Sequence, residues 1–249
     1  YVVSCPLSGR VPVLLLDTRL GQNHPDDRTI TDRLYGGDAA YRLKQEIVLG
    51  IGGARILEAL GFEIRKFHLN EGHASLLTLH LLAKQAESDL PLQARLEKVR
   101  DACVFTTHTP VEAGHDRFSC DEVTRILGRD TPIEANLLRQ VGGIEELNMT
   151  LLALNLSRLV NGVAEAHAET TRRMFPGYEV GAITNGVHVP TWTHPAFAEL
   201  FQAILPSWGH QPERLTRCEQ LPDDAVWSAH LKAKKDLIAK VAEATGQRL

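Results

Sequence analysis

Three short segments place hydrogen-bonding side chains directly after apolar runs. In F-H-L-N-E-G-H, the run ending at Leu69 is followed by Asn70, Glu71 and His73. In V-F-T-T-H-T, Phe105 is followed by Thr107, His108 and Thr109, with His115 and Asp116 a few residues on. In V-G-A-I-T-N-G, Ile183 is followed by Thr184, Asn185 and Gly186. Each set ends in a Gly or Pro break, and neutral donors and acceptors outnumber charges. That mixture suits the hydroxyls of a sugar better than a pyrophosphate. A buried sugar hydroxyl left unmatched costs about 1–3 kcal/mol, so a sugar site needs many such partners. Each segment also has a plainer reading. Asn-Gly marks a turn, a single His can cap a helix, and Asn70 or Glu71 can serve the N-terminus of the helix that follows.

The elements around these segments decide whether they can converge. Apolar runs at 11–16, 67–69, 102–105, 158–162 and 180–183 read as strands. Helical periodicity is expected over 41–60, interrupted by Gly50, Gly52 and Gly53 and closed by Gly61, with the three interior glycines serving close packing. Further helices are expected over 74–87, after Pro91, on both sides of the 158–162 strand, and over 226–241. In that last helix Val226, Trp227, Leu231, Leu237, Ile238 and Val241 should face inward, and Lys232, Lys234 and Lys235 outward. Alternating strand, polar loop and helix predicts an α/β fold, a Rossmann-like parallel sheet flanked by helices. Ligands bind beyond the carboxyl ends of such strands, so all three polar sets should share one rim. The stretch 206–224, with its Pro and Gly residues, is the best candidate for a boundary.

The 249 residues are 43% hydrophobic, with a net charge of −4. This is ordinary globular composition and lacks the basic footprint of a nucleic-acid binder. No apolar run reaches the ~18–20 residues of a membrane span, and no signal peptide opens the chain. The chain begins with Tyr1 rather than Met, which reads as a piece of something longer. The cysteines at 5, 103, 120 and 218 form no C-x-x-C pair, so a reducing, cytoplasmic setting is the default. No metal is expected, because the His68 and His73 spacing is not that of H-E-x-x-H. There is no G-x-S-x-G elbow, and no G-x-G-x-x-G after a strand.

The segments FHLNEGHASLLTL, VFTTHTPVEAGHDRF, VNGVAEAHAETTRRMFPG and GAITNGVHVPTWTHPAF, with RLYGGD and YRLKQEIVLGIGG, resemble the α-glucan phosphorylases, in particular their short prokaryotic branch. The motifs stand in family order over essentially the whole chain. The resemblance implies a two-domain GT-B type glycosyltransferase, with residues 1–205 the latter part of its N-terminal domain and 206–249 a connector. It implies reversible phosphorolysis of α-1,4-glucan or maltodextrin to glucose 1-phosphate, with retention, by a cytoplasmic homo-oligomer that engages neither nucleic acid nor membrane. Pyridoxal phosphate would be the cofactor of the full-length enzyme, with none bound to this chain alone.

By position in the matching motifs, His108 resembles the catalytic histidine, whose side chain meets a sugar hydroxyl and whose carbonyl faces the developing positive charge. Asn185 and Thr109 resemble sugar-binding residues. Glu71, His73 and Asp116 resemble the polar layer behind the histidine loop. Asp38 is similar to the acidic residue of the gating loop, which is shorter here, and Trp192 to a tryptophan lying against the cofactor. NEGHA and TTHT stand where the long enzymes have NDTHP and TNHT. No lysine falls in a matching Schiff-base motif, so this chain alone is expected to be inactive. The other readings are a nucleotide-sugar glycosyltransferase of the glycogen or starch synthase type, and a non-catalytic sugar-binding domain.

Overall fold

The structure, a computed structural model, describes residues 2–4, 12–34, 36–86, 88–128 and 134–247. Tyr1, Cys5, Val11, Glu87 and Leu249 lie outside the described residues. The chain divides into two compact units, residues 1–185 and 186–249.

The first unit opens with β1 (Val2–Ser4) and β2 (Pro12–Leu14), an antiparallel pair with Val3 opposite Val13. The strand expected at 11–16 is therefore shorter and stands outside the parallel sheet. So short a connection permits only antiparallel pairing, because parallel neighbours need a crossover.

Helix α1 (Ala39–Ile47) starts at Asp38, whose Oδ1 accepts the Tyr41 N–H at 2.8 Å. It runs into a π-helical turn, Val48–Gly52, and then α2 (Gly53–Ala59), where a single interrupted helix was expected. Gly50 explains part of this path. A Cβ there would lie 2.9 Å from Leu77 N and 3.0 Å from Ala74 O, so the π turn packs directly on backbone. Gly52 and Gly53 meet nothing nearer than 3.8 Å, so close packing does not account for them. Gly61 closes the segment with φ +78°, donating to Glu58 O while Phe62 N–H donates to Leu57 O. This is the double bond of a glycine-terminated helix.

The main sheet has four parallel strands in chain order: β3 (Phe67–Asn70), β4 (Cys103–Thr107), β7 (Leu159–Gly162) and β8 (Gly181–Ala182). Helices α3 (Leu76–Ala83) and α4 (Leu92–Ala102) connect β3 to β4. Leu96 and Val99 of α4 face the core as its spacing required. Between β4 and β7 the chain makes an excursion: β5 (Arg117–Ser119), α5 (Cys120–Leu127), α6 (Ala135–Gly142), β6 (Glu146–Asn148) and α7 (Met149–Asn155). Strands β5 and β6 pair antiparallel, Phe118 opposite Leu147. Three-residue strands carry too little periodicity to be read from sequence. Helix α8 (Glu165–Met174) links β7 to β8.

Phe105, Leu69, Leu76, Leu79, Met149 and Leu152 are fully buried and form the centre of the core. Cys103 lies among them. Burial pushes its thiol up to about 12, so it is an inert packing residue.

The second unit holds α9 (Val189–Trp192), α10 (Pro195–Ile204) and α11 (Asp223–Thr245). Helix α10 is capped by the His194 ring, which accepts the Ala196 N–H. It packs on α11, with His194 Nε2 3.4 Å from Asp236 Oδ2. The inward face expected for 226–241 is only partly formed. Val226, Ile238 and Val241 are half-buried, but Trp227, Leu231 and Leu237 are exposed. A ten-residue partner cannot cover every apolar side of a 23-residue helix. Among the described residues no helix is long and apolar enough to cross a membrane.

Candidate functional site

The parallel strands carry the polar sets to one rim, and Glu71 organises it. Strand β3 ends with Asn70 opposite Thr106. The next residue, Glu71, has φ 65° and ψ 172°, backbone space that is nearly reserved for glycine. Its N–H donates to Thr106 O at 2.9 Å. Its carboxylate then reaches across to the loop after β4. Oε2 accepts the His108 N–H at 2.7 Å and the Thr109 hydroxyl at 2.8 Å. Oε1 accepts the Thr107 hydroxyl and the Gly72 N–H, each at 3.3 Å. One carboxylate thus gathers Thr107, His108 and Thr109, and leaves the His108 side chain exposed. Gly72 is small for a reason: a Cβ there would stand 3.3 Å from both Met149 Cβ and Thr150 N.

On the other side of Gly72, His73 holds the far end of the same loop. Its Nδ1 lies 3.1 Å from Asp116 Oδ2. Arg42 Nη2, from α1, is 3.1 Å from that oxygen and 3.2 Å from Oε1 of the buried Glu46. Arg42 Nη2 also approaches His73 Nδ1 to 2.8 Å. Arginine can only donate, so a protonated His73 gives its Nδ1 hydrogen to Asp116, and Arg42 bridges the two carboxylates. The hydrogen bond to Asp116, with help from Glu46, raises the His73 imidazole to about 9. Burial pushes the Glu46 carboxyl up to about 8; His73 pulls it back in part, and Asp116 pushes it further up. Burial disfavours a charged Asp116 too, but hydrogen bonds with His73, Glu46 and Arg42 outweigh that and hold it well below the usual carboxylate range.

Glu46, His73 and Asp116 each offer a ligand atom within 4.8 Å of the others. The Arg42 guanidinium already supplies the cation among them. The four side chains stand beside a largely apolar groove of about 700 Å³, whose lining includes Arg42, Glu46 and His73.

A third connection crosses the sheet. His68 Nε2 lies 2.7 Å from Thr106 Oγ1, which donates to Asn161 Oδ1 at 2.9 Å. The relay assigns the Nε2 hydrogen to His68 and joins β3, β4 and β7 beneath the rim. His68 and His73 therefore serve different partners. Asn185 follows β8 and is exposed, its N–H bonded to Val163 O at 3.1 Å. The carboxylate of Asp38 is engaged with the first turn of α1, one turn before Arg42. Trp192 belongs to the second unit, where it ends α9 with an 80% exposed side chain.

The structure therefore brings Glu71, His108 and Thr109 into direct contact and His73 and Asp116 into a second contact beside it. Arg42 and Glu46, in the YRLKQEIVLGIGG segment, complete that second group, although the sequence motifs assign them no site role. Their sequence signal is an i, i+4 pair in which Glu46 falls on the same helix side as Leu43, three residues earlier. His115, buried against Phe175 with Nδ1 2.8 Å from Thr150 Oγ1, is a packing residue of this loop. Burial lowers its imidazole pKa.

No protein-family model matches the chain. Among curated proteins it is 38% identical to a maltodextrin phosphorylase of Thermococcus litoralis, over 96% of this chain and 31% of that protein. It is 35% identical to a glycogen phosphorylase of Mycobacterium tuberculosis, over 94% of this chain and 30% of that one. A glycogen phosphorylase of Aquifex aeolicus matches at 31% identity over 96% of this chain and 37% of its own length. The chain spans about a third of the length of these relatives. Over nearly all of its own length, the chain is similar to glycogen and maltodextrin phosphorylases.

Proposed function

We propose that this chain forms the glucan-binding wall of an α-glucan phosphorylase. In that reading residues 1–205 are the latter part of the N-terminal domain of a GT-B type enzyme, and 206–249 lead toward a second domain. The whole enzyme would be a cytoplasmic homo-oligomer that phosphorolyses α-1,4-glucan ends to glucose 1-phosphate with retention. The observation that carries the reading is the meeting of Glu71, Thr107, His108 and Thr109 around one carboxylate at a parallel-sheet rim. Neutral hydroxyls, an imidazole and a held loop backbone support the reading, because a pyranose needs such hydrogen-bonding partners. Asn185 adds an amide after the neighbouring β8 strand.

Pyridoxal phosphate fits this chain in one respect: the open indole face of Trp192 suits a flat ring. When bound, that cofactor supplies a phosphate that exchanges a proton with the substrate phosphate. Residues of this chain would bind the sugar, aim the His108 carbonyl at its anomeric carbon and keep the loop in place.

The enzyme containing this chain should release glucose 1-phosphate from maltodextrin and phosphate. A synthase-type enzyme would instead lengthen glucan from a nucleotide sugar, and a sugar-binding module would do neither. In the same enzyme, His108→Ala should lower kcat by up to about tenfold, the worth of one neutral hydrogen bond, with a smaller rise in KM. Unchanged kcat with raised KM would make His108 a binding residue only.

A further inference from the structure

The far end of the 107–116 loop is seated on a residue to which the sequence motifs assign no site role. Glu46 is 1% exposed, in the last turn of α1. The charged groups facing it are Arg42 of its own helix, His73 from the turn after β3, and Asp116 from the residue before β5. Its Oε1 lies 3.2 Å from Arg42 Nη2 and 3.5 Å from His73 Nδ1. Those same two atoms each stand 3.1 Å from Asp116 Oδ2. A carboxyl withdrawn from water is unfavourable unless its neighbours require it. Here two basic groups converge on a single loop carboxylate, and Glu46 sits behind both. The Asp116 carbonyl also accepts the Met149 N–H at 3.0 Å, so this end of the loop is tied to α1 and α7 together.

We propose that Glu46 is a positioning residue. From the buried side of α1 it fixes Arg42 and His73 against Asp116, and so pins the end of the 107–116 loop opposite the one Glu71 holds. Its importance to catalysis rests on the reading of that loop as part of a glucan site. The positioning itself does not.

The test compares Glu46→Gln and Glu46→Leu by amide-exchange protection of residues 108–115 in this chain, and by kcat and KM of the enzyme containing it, from pH 6 to 9. Glu46→Leu should lower loop protection roughly tenfold while Phe105 in β4 is unchanged, with kcat falling more than KM rises. Glu46→Gln should preserve both at pH 7. It should also lack the loss that the wild type shows as pH rises through about 8. A folded Glu46→Leu chain with unaltered loop protection would overturn the inference. Should Glu46→Leu not fold, the inference is overturned if wild-type protection is flat with pH, or if Glu46→Gln declines in parallel with it. Loosening of the loop in Glu46→Leu, in a parent enzyme without phosphorolysis, would leave the positioning standing and remove the functional reading instead.

Discussion

Glu71→Ala is expected to lower kcat of the enzyme containing this chain by about 10²-fold, with KM for maltodextrin changed by less than about tenfold. The geometry explains why this exceeds the effect at His108. The exposed His108 side chain does not hold the loop; the Glu71 carboxylate does, through the His108 N–H at 2.7 Å. Removing the imidazole leaves that bond in place. Removing the carboxylate frees the backbone whose carbonyl, in the proposed reading, is aimed at developing charge, and a well-aimed group of this kind is worth about 3–4 kcal/mol.

The same change should destabilise this chain by about 2–4 kcal/mol, because two short bonds to a charged acceptor are lost while the strained backbone at φ 65° remains unrelieved. Glu71→Gly should be milder, since glycine accepts that backbone. Glu71→Gln should be milder still, because one oxygen can keep the His108 N–H and the Thr107 hydroxyl can turn to accept from the new amide. Steady-state kinetics and urea unfolding of the three variants give the order. A folded Glu71→Ala enzyme with kcat within twofold of wild type would show that the carboxylate does not aim the loop.

The stability of this chain should fall as pH rises from about 7 to 9. Folding raises the Glu46 carboxyl from 4.5 to about 8 and the His73 imidazole from 6.5 to about 9. Both groups bind protons more tightly in the folded chain, so each contributes stability at low pH that is lost as pH rises through its folded value. For Glu46 the full loss, spread from pH 4.5 to about 8, is on the order of 5 kcal/mol at about 1.4 kcal/mol per pH unit, of which roughly 1.4 kcal/mol falls above pH 7. Below about pH 6.5 the picture is mixed. His80 and His115 are lowered by burial and add stability as pH rises there, which opposes the trend. Asp116, held low, loses its contribution only as pH falls below its ordinary value of 3.8. Urea-unfolding midpoints between pH 7 and 9 should therefore decline in the wild type and decline less in Glu46→Gln. Midpoints independent of pH would mean that neither group gains a proton on folding.

Much of this site is legible in the sequence because its residues fall at strand ends, where alternation stops and polar side chains cluster. Phe67–Asn70 and Cys103–Thr107 form where apolar β-formers run together, and Glu71, His108 and Thr109 follow them directly. Pairing of the strands in parallel then makes their ends coincide. Arg42 and Glu46 were not legible. On a helix an i, i+4 ion pair reads as solvated surface, and only packing against His73 and Asp116, dozens of residues away, buries it. The π turn at Val48–Gly52 was hidden for a related reason: three glycines signal a weak helix, and only the backbone of Ala74 and Leu77 shows what Gly50 allows. The apolar face of α11 was read as core because periodicity reports amphipathicity and not whether a partner is present.

The strand order has a consequence for how the chain acquires its fold. Strands β3, β4, β7 and β8 lie side by side in the order of synthesis. Each can therefore dock on an edge that already exists, and none must be inserted between two formed neighbours. The β3–β4 pairing requires closure of a loop shorter than the one between β4 and β7, so its entropic cost is lower. The Glu71 contacts depend only on that first pairing, and would be in place on a growing chain before the β7 strand emerges. In pulsed hydrogen exchange during refolding, the amides of β3 and β4 should become protected no later than those of β7. The carboxylate that gathers the loop would then act as a folding template before it serves a ligand.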